Sequence, residues 1–453
     1  MHTAFRSTAS TAPGPSTRPT PLRTRLLWLD AVRAGALLVV VVGHILMAIV
    51  TVTPAGQTSL TNVLDVAAWS HWLTWPLQVM PVFFAVGAVV TTAKITSADP
   101  SPADNWSAWA GWMGRRARVL IVPATPLVVL WLLLSPVLAG TFGAAVVSAA
   151  AAAALVPLWF LAVYVLVQAL VPLWLRLLRT WQPLTLGVGL VVLVAVVDAL
   201  HLTGTPGVGY VNFMLVWSLP TLVGVLVHQR RISTRGLAGL AVIALAAAAV
   251  LVAVAGYELP VVGVTDSDRS NNSPPSLLLA CHALAYASAV LAGGPRLERL
   301  LRRGHRRRRV LHLASTWSMP VYLWHMTGLV VLVAVGIAAE VPLLDGILAL
   351  DPLSPAWWLA RPVWLALCLA PTVLLIGLVR GPTMALAGWS AGRPVAGPPG
   401  VVVGLIGCSV GIGTIVENGI APTPWAAVGL LALGIAALHP VIQKDRRGIG
   451  PST

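Results

Sequence analysis

Apolar runs long enough to cross a lipid bilayer, ~20 residues each, recur about a dozen times along this chain. They lie near residues 26–50, 68–93, 118–138, 157–175, 184–202, 209–228, 237–256, 276–294, 316–338, 357–379, 401–418 and 425–442. In hydrocarbon a backbone must satisfy its own hydrogen bonds, so runs of this length fold as helices. The Ala-rich stretch 143–156 is read as an irregular or long approach to the fourth span. The chain is 57% hydrophobic and only 9% charged, a balance that needs lipid rather than water as solvent. The expected fold class is all-α: a polytopic transmembrane helical bundle of about 10–12 spans, set in the cell membrane.

The formal net charge of +15 would suggest a nucleic-acid partner in a soluble protein. Here its distribution gives another reading. All but three of the 29 Lys and Arg residues fall in the tails, in alternate loops or at the adjoining helix ends; the exceptions are Arg33, Arg269 and Arg361. By the positive-inside rule those loops and both termini are cytoplasmic. The densest run, "RRGHRRRR" at 302–309, then sits beside anionic headgroups. No aromatic interleaving accompanies it, so membrane lipid and not nucleic acid is the expected partner. Cys281, Cys368 and Cys408 lie inside apolar runs without disulfide or zinc spacing, and no metal site is expected.

The Ser-, Thr- and Pro-rich residues 1–25 are expected to be a disordered tail. "RTRLLWLD" then opens an apolar run too long for a cleaved leader, so it reads as an uncleaved signal-anchor. Residues 26–380 form the main membrane core and 381–400 a cytoplasmic linker. Residues 401–442 form an additional helix pair, and 443–453 a short tail.

Three ionisable residues interrupt the first span, "LLWLDAVRAGALLVVVVGHILMAIV": Asp30, Arg33 and His44. Each costs about 2.5–3.5 kcal/mol at a bilayer centre on insertion scales. On a helix Arg33 and His44 differ by only ~20° and lie ~16 Å apart along the axis, so with Asp30 they form one stripe. The stripe is expected to face the bundle interior. Asp30 and Arg33 also suit a helix start at the interface, where an acid favours the dipole and Arg can snorkel. That reading does not cover His44, which lies deep. Asp30 is ~21 Å from His44 along the axis, so an acidic partner for His44 must come from another span; Asp198 is one candidate. Arg115 and Arg118 share a helix face at the start of a span, as do Tyr322 and His325 within the cytoplasmic third of a later one.

At these residues the chain resembles a family. "LDAVRAGALLVVVVGH" is similar to the opening motif of the acyltransferase-3 membrane proteins, with Val32 where the family usually has Leu. "MPVFFAVGAVV" (80–90), "RRARVLIVP" (115–123), "PLWFLAVYVL" (157–166) and "SMPVYLWHMTG" (318–328) resemble further family segments in the same order. The resemblance implies an O-acyltransferase that moves an acyl group, often acetyl, from acyl-CoA to a hydroxyl. The acceptor would be a surface glycan, a lipid or a small natural product. It implies His44 as the catalytic histidine, with Asp30 and Arg33 in the same motif, and Arg115 and Arg118 as donor-holding residues. Tyr322 and His325 are assigned to the donor site as well. Histidine suits the task, because an unassisted hydroxyl is a poor nucleophile and imidazole titrates near neutrality. The alternative from another class is a multi-span transporter or flippase, which the intramembrane charges would suit. Against it, the two halves of the chain show no internal repeat.

Overall fold

The computed structural model describes residues 26–52, 58–262, 270–420 and 423–439. The expected tails at 1–25 and 443–453, and Arg269, lie outside the described residues. Helix α1 (Leu27–Met47) leads into a hairpin of β1 (Ala48–Val52) and β2 (Thr58–Asn62), paired antiparallel from Ala48↔Asn62 to Val52↔Thr58. Short helices α2 (Val63–Val66) and α3 (Thr74–Leu77) flank a 3₁₀ turn at Ala68–Leu73. Then follow α4 (Met80–Thr96), α5 (Trp106–Ile121) and α6 (Thr125–Phe142). Helices α7 (Ala144–Leu155), α8 (Leu158–Ala169) and α9 (Val171–Thr180) make one broken stretch. Next come α10 (Pro183–Leu202), α11 (Asn212–His228), α12 (Thr234–Val254) and α13 (Leu277–Arg302). The chain continues through α14 (His305–Ala338), α15 (Pro342–Leu348) and α16 (Pro355–Ala391). It closes with α17 (Pro398–Asn418) and α18 (Trp425–Leu438).

Among the described residues, eleven helical stretches are long and apolar enough to cross a membrane, and α18 is a shorter apolar twelfth. They fall on the expected runs. The Ala-rich stretch is α7, which starts at Gly143 in the left-handed region (φ +86°) and leads toward α8. Pro157 and Pro172 mark the two breaks in the α7–α9 stretch, where a missing N–H would otherwise interrupt the helix ladder. The span that begins near 316 by hydropathy is part of a longer helix: α14 starts at His305, so the basic run is itself helical.

Basic residues gather at one end of the bundle, around Lys94 at the end of α4, Arg179 at the end of α9 and Arg306–Arg309 at the start of α14. The hairpin, α2, α3 and the 3₁₀ turn lie at the opposite end. Glu298 of α13 caps α1 at the basic end: its Oε2 accepts from Trp28 N at 2.8 Å, and its Oε1 pairs with Arg302 at 2.7 Å. The centre is aromatic. Phe84 of α4 stacks on Trp217 of α11 at 4.9 Å, and both Phe84 and Phe83 meet Phe160 of α8.

Helices α17 and α18 pack through glycines, as membrane helices do where lipid gives no hydrophobic drive for association. A Cβ on Gly411 would come within 2.7 Å of Leu431 N and 2.8 Å of Ala427 O. Gly411→Leu is therefore expected to cost about 1–3 kcal/mol through overpacking and to lower the detergent melting temperature. Gly429→Leu, which meets nothing within 4 Å, should leave it unchanged. Thermal unfolding followed by size-exclusion of the two variants checks this.

Candidate active site

Three residues before the end of α1, His44 is half-buried and meets α14. Its Nδ1 lies 3.0 Å from Nε2 of His325, with the rings nearly parallel (18°) and their centroids 5.2 Å apart. Nδ1 of His325 lies 2.7 Å from the carbonyl of Tyr322. A carbonyl only accepts, so Nδ1 of His325 carries its proton, and the Nε2 of the neutral ring is an acceptor. His44 must then donate from Nδ1. That tautomer leaves Nε2 of His44 with a lone pair and, among the described residues, no hydrogen bond. The two rings thus form a relay anchored on a backbone carbonyl, with a basic nitrogen at its free end.

The α14 segment "SMPVYLWHMTG" is held to four other elements at once. Tyr322 Oη donates to the Pro157 carbonyl at 2.6 Å, His325 meets α1, and Trp131 of α6 donates to Thr327 Oγ1 at 3.1 Å. Gly328 leaves the space that Thr372 of α16 fills. His325 is fully buried and Tyr322 only 2% exposed. The expectation that this pair lies in the basic third of its span is corrected. His325 is twenty residues into α14, ~30 Å along the helix, level with His44, because the helix begins eleven residues before the hydropathic span does.

His44 lines a cavity of about 640 Å³ at the end opposite the basic loops. Its walls come from the last turns of α1, the α2–α3 region, Trp159 of α8, Tyr322 and Trp358. Beside it, Arg361 of α16 donates to the Ala48 carbonyl at 3.4 Å and stacks 3.2 Å over the Trp357 ring. It thereby fixes the strand that leaves α1.

At the basic end the expected residues divide. Arg118 is buried and donates to the backbone carbonyls of Ser390 (2.9 Å) and Arg393 (3.2 Å), tying α5 to the end of α16. Arg115 is exposed and folds back beside Gly111 of its own helix. Arg116, between them, takes the inward direction instead. Its Nη2 donates to Tyr164 Oη at 3.0 Å, its guanidinium lies 5.9 Å from the Trp112 ring centroid, and its Nε is buried without a partner among the described residues. Arg116 and Arg33 are both near enough to Lys94 to repel it. The basic end therefore holds a cluster of Arg33, Lys94 and Arg116. Sequence spacing selects the outer pair of Arg115, Arg116 and Arg118; only the partner Tyr164, 48 residues on, distinguishes the middle one.

The continuous polar track expected from Arg33 to His44 is not present. Arg33 is exposed and Asp30 half-buried, and between Arg33 and His44 the buried positions of α1 are Ala34, Ala36, Leu37 and Val41, all apolar. A groove of about 960 Å³ does reach from Arg306 and Arg307 to Val42, but it is apolar and runs along the α14–α16 side of α1. Nor does Asp198 approach His44. Its Oδ2 accepts from Tyr257 Oη at 2.7 Å and from Leu277 N at 2.9 Å, which caps α13. The partner of His44 is an imidazole, not a carboxylate.

The motifs "PVFFAVG" and "WFLAVYVL" interlock. The Cβ position of Gly87 is occupied by Tyr164 Oη, the group that holds Arg116. Gly87→Ala should displace that ring and cost about 1–3 kcal/mol by overpacking. Adding Tyr164→Phe should recover part of the loss, because the clashing oxygen is gone. A double-mutant cycle on thermal stability measures the coupling.

A family profile described as an acyltransferase domain, that of the acyltransferase-3 family, matches residues 26–381, from the start of α1 through most of α16. No curated protein and no solved structure matches the chain. The chain belongs to the acyltransferase-3 family and is a multi-pass membrane acyltransferase, which decides against the transporter alternative. Helices α17 and α18 lie beyond the matched residues.

Proposed function

We propose that this protein, in the cell membrane with its basic end toward the cytoplasm, transfers an acyl group, acetyl foremost, from acyl-CoA to a hydroxyl acceptor. The observation that carries this reading is the His44–His325 hydrogen bond, which leaves Nε2 of His44 as a proton acceptor on the cavity wall. The acceptor hydroxyl gives its proton to Nε2 as its oxygen attacks the thioester carbonyl. The C–S bond of the tetrahedral intermediate then breaks, and the imidazolium returns the proton to the departing thiolate. His325 accepts from Nδ1 throughout, so it orients the ring and supports its positive charge, the part a carboxylate takes in hydrolase triads.

Donor binding is assigned to Arg33, Lys94 and Arg116. Three cations held within repelling distance are stabilised by a polyanion, and CoA phosphates accept bidentate hydrogen bonds from guanidinium groups. The ~16 Å of helix between Arg33 and His44 is comparable with an extended pantetheine arm. Loading the arm along that face requires α1 to part from α4.

His44→Ala is expected to lower kcat for acyl transfer by ~10²–10⁴-fold, and full retained transfer would overturn the assignment. His325→Ala should lower kcat without moving the donor KM. Arg116→Ala should raise the KM for acetyl-CoA and leave kcat nearly unchanged. Replacing Arg306 and Arg307 together, at the mouth of the apolar groove, should leave that KM as it is. Steady-state kinetics with purified protein, acetyl-CoA and a hydroxyl acceptor separate these outcomes.

A further inference from the structure

We infer that the acceptor is an uncharged, largely hydrocarbon alcohol that enters from the bilayer, rather than a polyhydroxylated sugar. This rests on the acyltransferase reading above and narrows its substrate class. Among the described residues, no Asp, Glu, Lys or Arg lines the cavity at His44. Its wall is mainly Val, Leu, Met and aromatic side chains, the composition of a site that recognises an apolar body with few polar groups.

The side-chain oxygens on the wall are already engaged with the protein. Asn62 Oδ1 accepts from Leu64 N at 2.9 Å, Ser70 donates to the Ala67 carbonyl at 2.7 Å, and Thr74 donates to the His71 carbonyl at 2.6 Å. Gln78 donates to the Val261 carbonyl at 3.2 Å and to Asn272 Oδ1 at 3.4 Å, and accepts from Met80 N at 3.5 Å. Tyr322 donates to the Pro157 carbonyl. A sugar in this space would bury several hydroxyls against hydrocarbon and committed groups, and each unmade hydrogen bond weakens binding. An alcohol with one reacting hydroxyl has the acceptor it needs in Nε2 of His44.

The rim agrees with the interior. Leu73 and Leu77 line the cavity and are also 43% and 46% exposed, and the neighbouring Trp69 and Trp72 are 54% and 66% exposed. An apolar, indole-rich rim belongs at a membrane interface, where a lipophilic compound is already concentrated.

Gly43 offers a steric probe. It lines the cavity, and a Cβ there meets nothing within 4 Å, so a larger side chain fills the acceptor space without disturbing the helix. The test measures saturable binding of tritiated geranylgeraniol and of tritiated cholesterol to the full-length protein in lipid nanodiscs. At least one should bind wild type saturably, and His44→Ala should still bind it, more weakly by the one hydrogen bond lost, since the apolar wall is unchanged. Affinity should fall in Gly43→Val and fall further, by ~10-fold or more, in Gly43→Leu. Excess methyl glucoside should not compete. Binding that survives in His44→Ala while transfer is lost separates this inference from the catalytic assignment. It is overturned if neither alcohol binds above the Gly43→Leu background, or if methyl glucoside competes. It is equally overturned if Gly43→Leu shortens the range of acyl donors used while alcohol binding stays intact.

Discussion

The arrangement of the cavity end of this protein depends on one hydrogen bond between two imidazoles from helices 281 residues apart. A lone histidine in a membrane helix is a burden, because a polar group in hydrocarbon without a partner costs several kcal/mol. Pairing it with a second imidazole satisfies both without introducing a net charge. The chain of donors ends on the Tyr322 carbonyl, so the direction of every proton is set by an atom that cannot donate. A carboxylate in the place of His325 would orient His44 as well, but it would bring a formal charge into an apolar bundle whose nearby cation, Arg361, is already held by the Ala48 carbonyl and the Trp357 ring.

Holding that bond requires α14 to sit at a fixed height and rotation against α1. Tyr322, Thr327 and Gly328 each tie the same two turns to a different helix, so displacement of the imidazole would break contacts on three sides. The basic end is built by the same kind of interlock. Gly87 makes room for Tyr164, and Tyr164 holds Arg116. Motifs that look like separate signatures along the chain are the two halves of individual contacts. In a bundle without a hydrophobic drive between helices, close packing and a few polar ties do this work.

The number and approximate positions of the spans were legible in the sequence because hydropathy acts residue by residue and needs no knowledge of neighbours. His44 stood out for the same reason: its insertion cost is local. What pairs with it was not legible. Depth along α14 depends on where that helix starts, and the basic run at 306–309 reads as loop although it is helical. The choice of Arg116 over Arg115 and Arg118 likewise turns on helix rotation, which motif spacing leaves open until Tyr164 is brought near. Asp198 shows the limit from another side. A carboxylate near the end of a span is open to both a chemical and a structural reading, and its oxygen caps the first turn of α13, a structural use with no sequence mark.

The packed section between Arg33 and His44 then has a physical reason. A polar track open from the basic end to the cavity would be a water-filled path through the bilayer, and water beside a titratable imidazole relay would pass protons. The buried positions of α1 at that level, Ala34, Ala36, Leu37 and Val41, are all apolar, while the cavity at His44 lies at the opposite end. A donor that arrives from the basic end along the buried face of α1 must therefore displace hydrocarbon packing rather than follow standing water. The packed section and the active site are two levels of one helix, and α1 carries both.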